Sequence, residues 1–289
     1  MDWVSVILEG ALLGGLYALF AAGLSLAFGI MRLVNLAHGD FIVVSAYIAL
    51  FLAQTVGLHP LVAYPLAVAI MGLVGFLLQR GLLNRVMGDD IMPPLLVTFG
   101  ISIMLQNLLL QIFSADTRGL VGGGLQTASL ALGHGIAIGW LPLLTMGVAV
   151  AVIGALQLLM VRTRLGLAFR ATSDDQTTAR LMGIDTRLIY AVAMAVALVV
   201  VAIAGILFAI RTTFDPASGP SRLIFAFEAV IIGGMGSLWG TLVGGIILGI
   251  TQAIGFALSP GIGLLFGHLA FLAVLVFRPQ GLFPRTRGA

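Results

Sequence analysis

Three places in this 289-residue chain gather side chains able to do chemistry. Asn35, His38, Gly39 and Asp40 fall within the run N-L-A-H-G-D. Thr98, Ser102 and Gln106 recur at i+4 steps, a polar stripe about 80° wide on a helix, and Asn107 and Gln111 extend it. Glu228 stands in an apolar run just ahead of Gly233-Gly234-Met235-Gly236-Ser237. None of these is a catalytic constellation. The chain has no H-E-x-x-H, no G-x-S-x-G and no His clustered with carboxylates, and His59, His134 and His268 are isolated. What the three groups can do is exchange hydrogen bonds or hold a charge where the surrounding sequence is hydrocarbon.

Those surroundings are unusual. Hydrophobic residues make up 60% of the chain and charged residues 9%, against roughly 25% charged in soluble domains. Too few charges remain to cover a soluble surface of this size. This excludes a soluble enzyme, a nucleic-acid-binding protein and a disordered chain. Continuous apolar runs point to helices rather than a barrel. There is no Cys, hence no disulfide or thiolate metal site, and no metal or other cofactor is expected in the chain. All 14 basic residues are Arg, so no P-loop lysine exists to hold a nucleotide.

The elements that must position the polar groups are therefore membrane spans. They are expected at 4–30, 36–57, 61–79, 92–114, 140–160, 189–210, 238–257 and 262–277, with a shorter apolar piece at 223–233. Asp2 and Glu9, with no basic residues ahead of them, argue against a cleaved signal peptide. Arg32, Arg80, Arg85, Arg162, Arg164, Arg170, Arg180, Arg187, Arg278, Arg285 and Arg287 fall on one side; Arg118, Arg211 and Arg222 fall on the other. The richer side is cytoplasmic, and with it the C-terminus. The first span starts outside only if 223–233 crosses as a ninth pass, which Arg32 and the acidic N-terminus favour.

Two loops carry structure of their own. In the outside loop, 115–139, Leu130 to Ile138 suggests a small hairpin around Gly133, His134 and Gly135. In the inside loop, 161–188, Ser173 and Gln176 spell a capping box, and Gly183 is placed to end a helix from Asp174 to Met182. That helix is either a tight connector or a docking surface for a cytoplasmic partner.

Each polar site has two readings. Asp40 is either the N-cap of the second span, with His38 at headgroup level, or part of a broken helix whose ends line a pathway. The 98/102/106 stripe either makes interhelical hydrogen bonds or faces a path. Glu228 is either a satisfied buried carboxylate or a group at a hinge or path. Gly236, Gly240 and Gly244, then Gly245 and Gly249, suit close helix packing.

Four blocks in order resemble the permease subunits of ABC importers for branched-chain amino acids. They are Gly29–Tyr47 (GIMRLVNLAHGDFIVVSAY), Arg162–Ile184 (RTRLGLAFRATSDDQTTARLMGI), Ala226–Gly249 with its G-G-M-G-S, and Phe277–Phe283 (FRPQGLF). The first, shorter permease of the family's pair is the nearest type. The resemblance implies an all-α polytopic permease in the bacterial inner membrane, a single transmembrane domain over 1–289 with about eight helices and one short broken or re-entrant helix. It implies a second homologous permease, two cytoplasmic ATPases that use ATP, and a periplasmic substrate-binding protein. Arg170, Ser173, Asp174, Asp175, Ala179, Leu181 and Gly183 then belong to a coupling helix seated in an ATPase. The family pattern commonly has an acidic residue followed by two alanines, where this chain has Gln176, Thr177 and Thr178 before Ala179. Leu, Ile or Val is the implied solute, with urea, short amides or other amino acids as alternatives. A self-sufficient carrier using Glu228 and Asp40 is the contrasting class.

Overall fold

Hydrocarbon offers no hydrogen-bond partners, so each apolar run satisfies its own backbone by coiling into a helix. The computed structural model describes residues 3–88, 90–133 and 136–283; Asp2, His134, Gly135, Arg285 and Arg287 lie outside them. The long helices are α1 (Trp3–Met31), α2 (His38–Leu50), α3 (Pro60–Leu78), α5 (Met92–Phe113), α6 (Trp140–Arg162), α9 (Thr186–Arg211), α11 (Leu238–Leu258) and α12 (Gly263–Phe277). A π-turn carries α2 on to Thr55, and another joins α3 to α4 (Asn84–Val86). Among the described residues, eight helical segments are long and apolar enough to cross a membrane. They fall on the expected spans, except that the third runs on to Val86. There the buried Gln79 donates to Asn84 Oδ1 at 3.0 Å, which holds the π-turn in line with the helix.

The shorter elements are β1 (Ser129–Gly133), β2 (Ile136–Gly139), α7 (Arg164–Asp174), α8 (Gln176–Leu181) and α10 (Gly219–Gly233). β1 and β2 form the expected antiparallel hairpin, with Leu130 opposite Ile138.

α10 settles the topology. At 15 residues it is about 22 Å long, short for a hydrocarbon core of about 30 Å. Just before it, Phe214 pairs with Arg118 of the 115–139 loop. Just after it, Gly236 to Trp239 line a cavity with Gln157, Met160 and Arg170, at the end of the molecule that carries the 161–188 loop. α10 therefore joins the two ends as a ninth crossing. Trp3 lies at the end of the 115–139 loop and Phe283 at the opposite end, where its amide donates to Gly233 O at 3.0 Å. Gly233 to Ser237 is thus a turn between two crossings, not a gap inside one. Gly234 (φ 103°) and Gly236 (φ 82°) shape it in a region that side chains disfavour.

α1 and α9 form the centre, with 78% and 72% of their most apolar stretches buried, against 11% for the span that ends in α12. The expected glycine stripe serves two faces of α11. Gly245 and Gly249 meet Gly14 and Gly10 of α1, where a Cβ on Gly245 would stand 2.6 Å from the Gly14 carbonyl oxygen. Gly240 and Gly244 meet Gly233 and Ala229 of α10. Without a hydrophobic drive between helices in lipid, such backbone contact supplies the dispersion energy that holds them.

Candidate functional site

The chain is interrupted inside the membrane between α1 and α2. α1 ends at Arg32, which has φ 53°, an uncommon conformation for a residue with a side chain. His38 opens α2, yet its Nε2 lies 2.7 Å from the carbonyl of Phe20, in the middle of α1. From Phe20 to Arg32 the helix descends about 18 Å at its usual rise. The non-helical residues 32–37 have a reach of about 20 Å. They run back alongside α1, and α2 starts at mid-depth.

Local bonds hold this segment. Asn35 Oδ1 accepts from Ala37 N at 3.0 Å, and Leu36 N donates to Thr98 Oγ1 at 3.2 Å. Thr98 in turn donates to Leu95 O at 3.1 Å. Asp40 is not the N-cap expected from the sequence. Ala37 occupies the cap, and Asp40 sits in the first turn, where a carboxylate suits the helix dipole. The Asp40 carboxyl group meets the side chains of Ser102 and Gln106, and Gln106 Nε2 donates to Ser102 Oγ at 3.1 Å. Gly39 brings the backbone of α2 against Gly219 of α10. Asn35 is 1% exposed and Asp40 2%. Asn35 Nδ2 and Asp40 Oδ1 nevertheless have no hydrogen-bond partner among the described residues.

Two of the patches singled out in the sequence are therefore one cluster: Asn35, His38, Gly39 and Asp40 with Thr98, Ser102 and Gln106. Asn107 and Gln111 do not extend it. Both are exposed on another face of α5.

Glu228 is elsewhere. Its Oε1 pairs with Nδ1 of His268 on α12; the side chains are 5% and 39% exposed. His268 is thus not isolated, as the sequence suggested. A partner 40 positions away on another helix leaves no local pattern to find. Gly233, Gly234 and Gly236 belong to the turn at the 161–188 end, apart from the Asp40 cluster.

The 161–188 loop is built differently from the expected capping box. Ser173 is inside α7, and its Oγ donates to Gly29 O at 2.7 Å. α8 is six residues long, and Asp175 is its N-cap, accepting from Thr177 N (2.8 Å) and Thr178 N (3.1 Å). A hydrogen bond from Thr178 Oγ1, then its amide, holds the Asp175 carboxyl group below the usual carboxylate range. The expected ending at Gly183 is present. Gly183 has φ 84°, with Gly183 N bonded to Arg180 O (3.0 Å) and Ile184 N to Ala179 O (3.1 Å), the paired bonds of a Schellman motif. Ala179 is buried, whereas Leu181 and Met182 are 82% and 79% exposed. Arg180 Nε is bonded to Thr186 Oγ1 at 2.9 Å. Arg32, Asp174, Asp175, Arg180 and Pro94 line a cavity of about 810 Å³ between this loop and the interrupted segment.

Among the described residues, eight membrane-length helices with the shorter α10 beside them, a helix that starts partway along α1 and a capped helical loop at one end define a polytopic permease of ABC importer architecture. The chain belongs to the family of branched-chain amino acid transport system permease components, whose model matches residues 6–276. It is 30% identical to the high-affinity branched-chain amino acid transport system permease protein BraD of Pseudomonas aeruginosa, over 98% of this chain and 96% of that one. It is 27% identical to the permease protein LivH of the corresponding Escherichia coli K12 system, over 96% and 94%. In fold it is similar to a chain of PsaBC from Streptococcus pneumoniae in complex with Fab, with a TM-score of 0.51, 14% identity and coverage of 97% and 93%.

Proposed function

We propose that this chain is the membrane-spanning permease subunit of an ATP-driven importer, passing Leu, Ile or Val into the cell. The observation that carries the reading is the interruption at mid-depth, where Asn35 and Asp40 keep unpartnered polar atoms inside the membrane. Intramembrane polar groups are costly and mark solute paths. Asn35, His38, Gly39, Asp40, Thr98, Ser102 and Gln106 form the path or its gate. Glu228 acts from the far side of α10 through His268, and Gly233, Gly234 and Gly236 let the α10–α11 turn follow it.

Work enters through the loop. The chain has no lysine for a nucleotide site, so ATP is hydrolysed by two cytoplasmic subunits and the chain catalyses no reaction itself. Leu181 and Met182, exposed at the tip of α8, and the capped ends at Asp175 and Gly183 suit a helix that seats in such a subunit. Asp174 and Ala179 shape it from below. Arg170, with an unpartnered Nε, borders the second cavity, of about 340 Å³, between α7 and the α10–α11 turn. Arginine bias supports a cytoplasmic location for this end, and the importer reading assigns the protein to the inner membrane. A second homologous permease and a periplasmic binding protein complete the transporter.

The test is reconstitution in proteoliposomes with these partners, following labelled leucine and urea. ATP-dependent leucine uptake that requires all partners supports the reading. Uptake by this chain alone without ATP favours a secondary carrier, and uptake of urea alone replaces the solute.

A further inference from the structure

Arg211 and Arg222 stand at the two ends of the turn between α9 and α10, on the side poor in arginine. The Arg222 guanidinium lies 4.3 Å from the ring centre of Phe208 and 6.0 Å from that of Phe225. Phe208 is one helical turn before Arg211 on α9, so the ring that holds Arg222 belongs to the same helix end as Arg211. Tyr17 of α1 is within electrostatic reach of both, and its ring lies 5.0 Å from that of Phe225. Arg211 Nη1 and Arg222 Nε are shielded from solvent without a hydrogen-bond partner. Neither arginine forms an ion pair among the described residues, where the pairs are Arg118–Asp116 and His268–Glu228.

Two partly buried guanidiniums without a carboxylate in direct contact are a costly arrangement, and topology signals run against arginine on this side. The nearby acids do not close the gap. Asp215 acts on Arg222 through space only, its carboxylate being bonded to the amide of Ala217 and the hydroxyl of Ser218. Glu9 is exposed at the outer end of α1 and acts on Arg211 only through space. Guanidinium groups match a carboxylate in geometry and charge, and an aromatic face holds them in place. The pair is also next to the interruption: the ring of Phe208 packs 5.9 Å from that of Phe20, whose carbonyl holds His38.

We propose that Arg211 and Arg222 form an outer binding site for the carboxylate of a small zwitterionic amino acid, with Glu9 near its ammonium group, while the buried rings of Phe208 and Phe225 hold the Arg222 guanidinium in place. The site rests on the transport reading above and adds to it a step of direct solute recognition by the permease, ahead of the Asp40 cluster. A carboxylate on the binding protein is the competing ligand. The half-buried position among aromatic rings favours the smaller one.

The test uses the permease complex with its partner subunits, purified without the binding protein. Equilibrium dialysis with labelled L-leucine is compared with L-leucinamide, which lacks the carboxylate. The expected result is leucine binding in the millimolar range and leucinamide at least about tenfold weaker. Arg211→Gln and Arg222→Gln are each expected to weaken leucine about ten- to hundredfold, the worth of a charged hydrogen bond. Arg211→Lys and Arg222→Lys keep the charge and lose the fork; they serve if the Gln variants fail to assemble, with about tenfold weaker binding expected. Unchanged leucine binding in the assembled variants, or equal binding of leucinamide, overturns the site. So does weaker docking of the binding protein with leucine binding intact. Wild-type uptake of leucine in proteoliposomes separates the two claims: if it is present while the site fails, only the site falls; if it is absent, both do.

Discussion

Ser173 Oγ donates a 2.7 Å hydrogen bond to the carbonyl of Gly29, tying the loop between α6 and α9 to the last turn of α1. Gly29 is followed within one turn by Arg32, where the chain leaves α1 in a left-handed conformation and turns back into the membrane. A shift of α7 therefore reaches the interrupted segment through one bond and a few residues of backbone. Coupling needs such a physical contact between the element that is moved and the element that responds. Ser173→Ala is expected to cost about 1 kcal/mol and to leave ATPase binding intact. Uptake per ATP hydrolysed should fall, as measured by parallel leucine and phosphate assays. An unchanged ratio shows that the signal takes another route.

Asp175 caps α8 only as a carboxylate. Its folded-state pKa is lowered by the bonds from Thr178. A lowered value means stability present above the ordinary carboxylate value of 3.8 and lost as pH falls through the folded one. Amide exchange of 176–183, followed by mass spectrometry, should stay slow from neutral to mildly acid pH and quicken in strong acid. Asp175→Asn keeps an acceptor and should remove this acid dependence; Asp175→Ala should quicken exchange at every pH.

Gly183 holds φ 84° at the end of α8. Gly183→Ala is expected to destabilise that ending by about 1–2 kcal/mol, and Gly183→Pro to remove it. In both the arginines remain, so membrane insertion should be normal while ATPase copurification falls, more for Pro. Normal copurification and uptake with Pro would place the docking surface elsewhere.

Thr98 reaches across to the backbone of the interrupted segment, through Leu36 N. Thr98→Val keeps the shape and leaves a donor unpaired, at a cost of about 1–3 kcal/mol. The expected outcome is a lower melting temperature in detergent and reduced uptake. Thr98→Ser retains the hydroxyl and should behave as wild type.

Glu228 and His268 tie α10 to α12, the least buried of the long helices. His268→Ala leaves the carboxylate unpaired, and about 2 kcal/mol of stability should be lost, toward the low end because His268 is half-exposed. Adding Glu228→Gln should restore most of it. If the restored double variant assembles and still fails to transport, Glu228 has a role in the path; normal uptake assigns it to holding the helices together.

Much of this was legible in the chain because hydrocarbon imposes a strict rule. Apolar length alone located the eight long spans, from Trp3–Met31 to Pro260–Phe277, since a single continuous segment satisfies its own backbone in lipid only as a helix. Gly183 announced the end of α8, because its left-handed conformation belongs to glycine. The polar runs at 35–40 and 98–106 stood out because such groups are rare in spans. The capping box at Ser173 misled: α7 continues through that residue, and its hydroxyl finds the Gly29 carbonyl instead of a local amide.

The sequence by itself thus determined which stretches enter the membrane, which residues are out of place there, and the family to which they point. Only the tertiary structure decided which of those residues meet. Nothing in the spacing of Asp40 and Ser102, of Glu228 and His268, or of Ser173 and Gly29 reveals the contact, because helix periodicity carries information over a few turns and no further. The course of α10 was settled in the same way. Its length suits either a crossing or a re-entry, and it became a crossing because Phe214 is pinned to Arg118 at one end and Gly233 to Phe283 at the other.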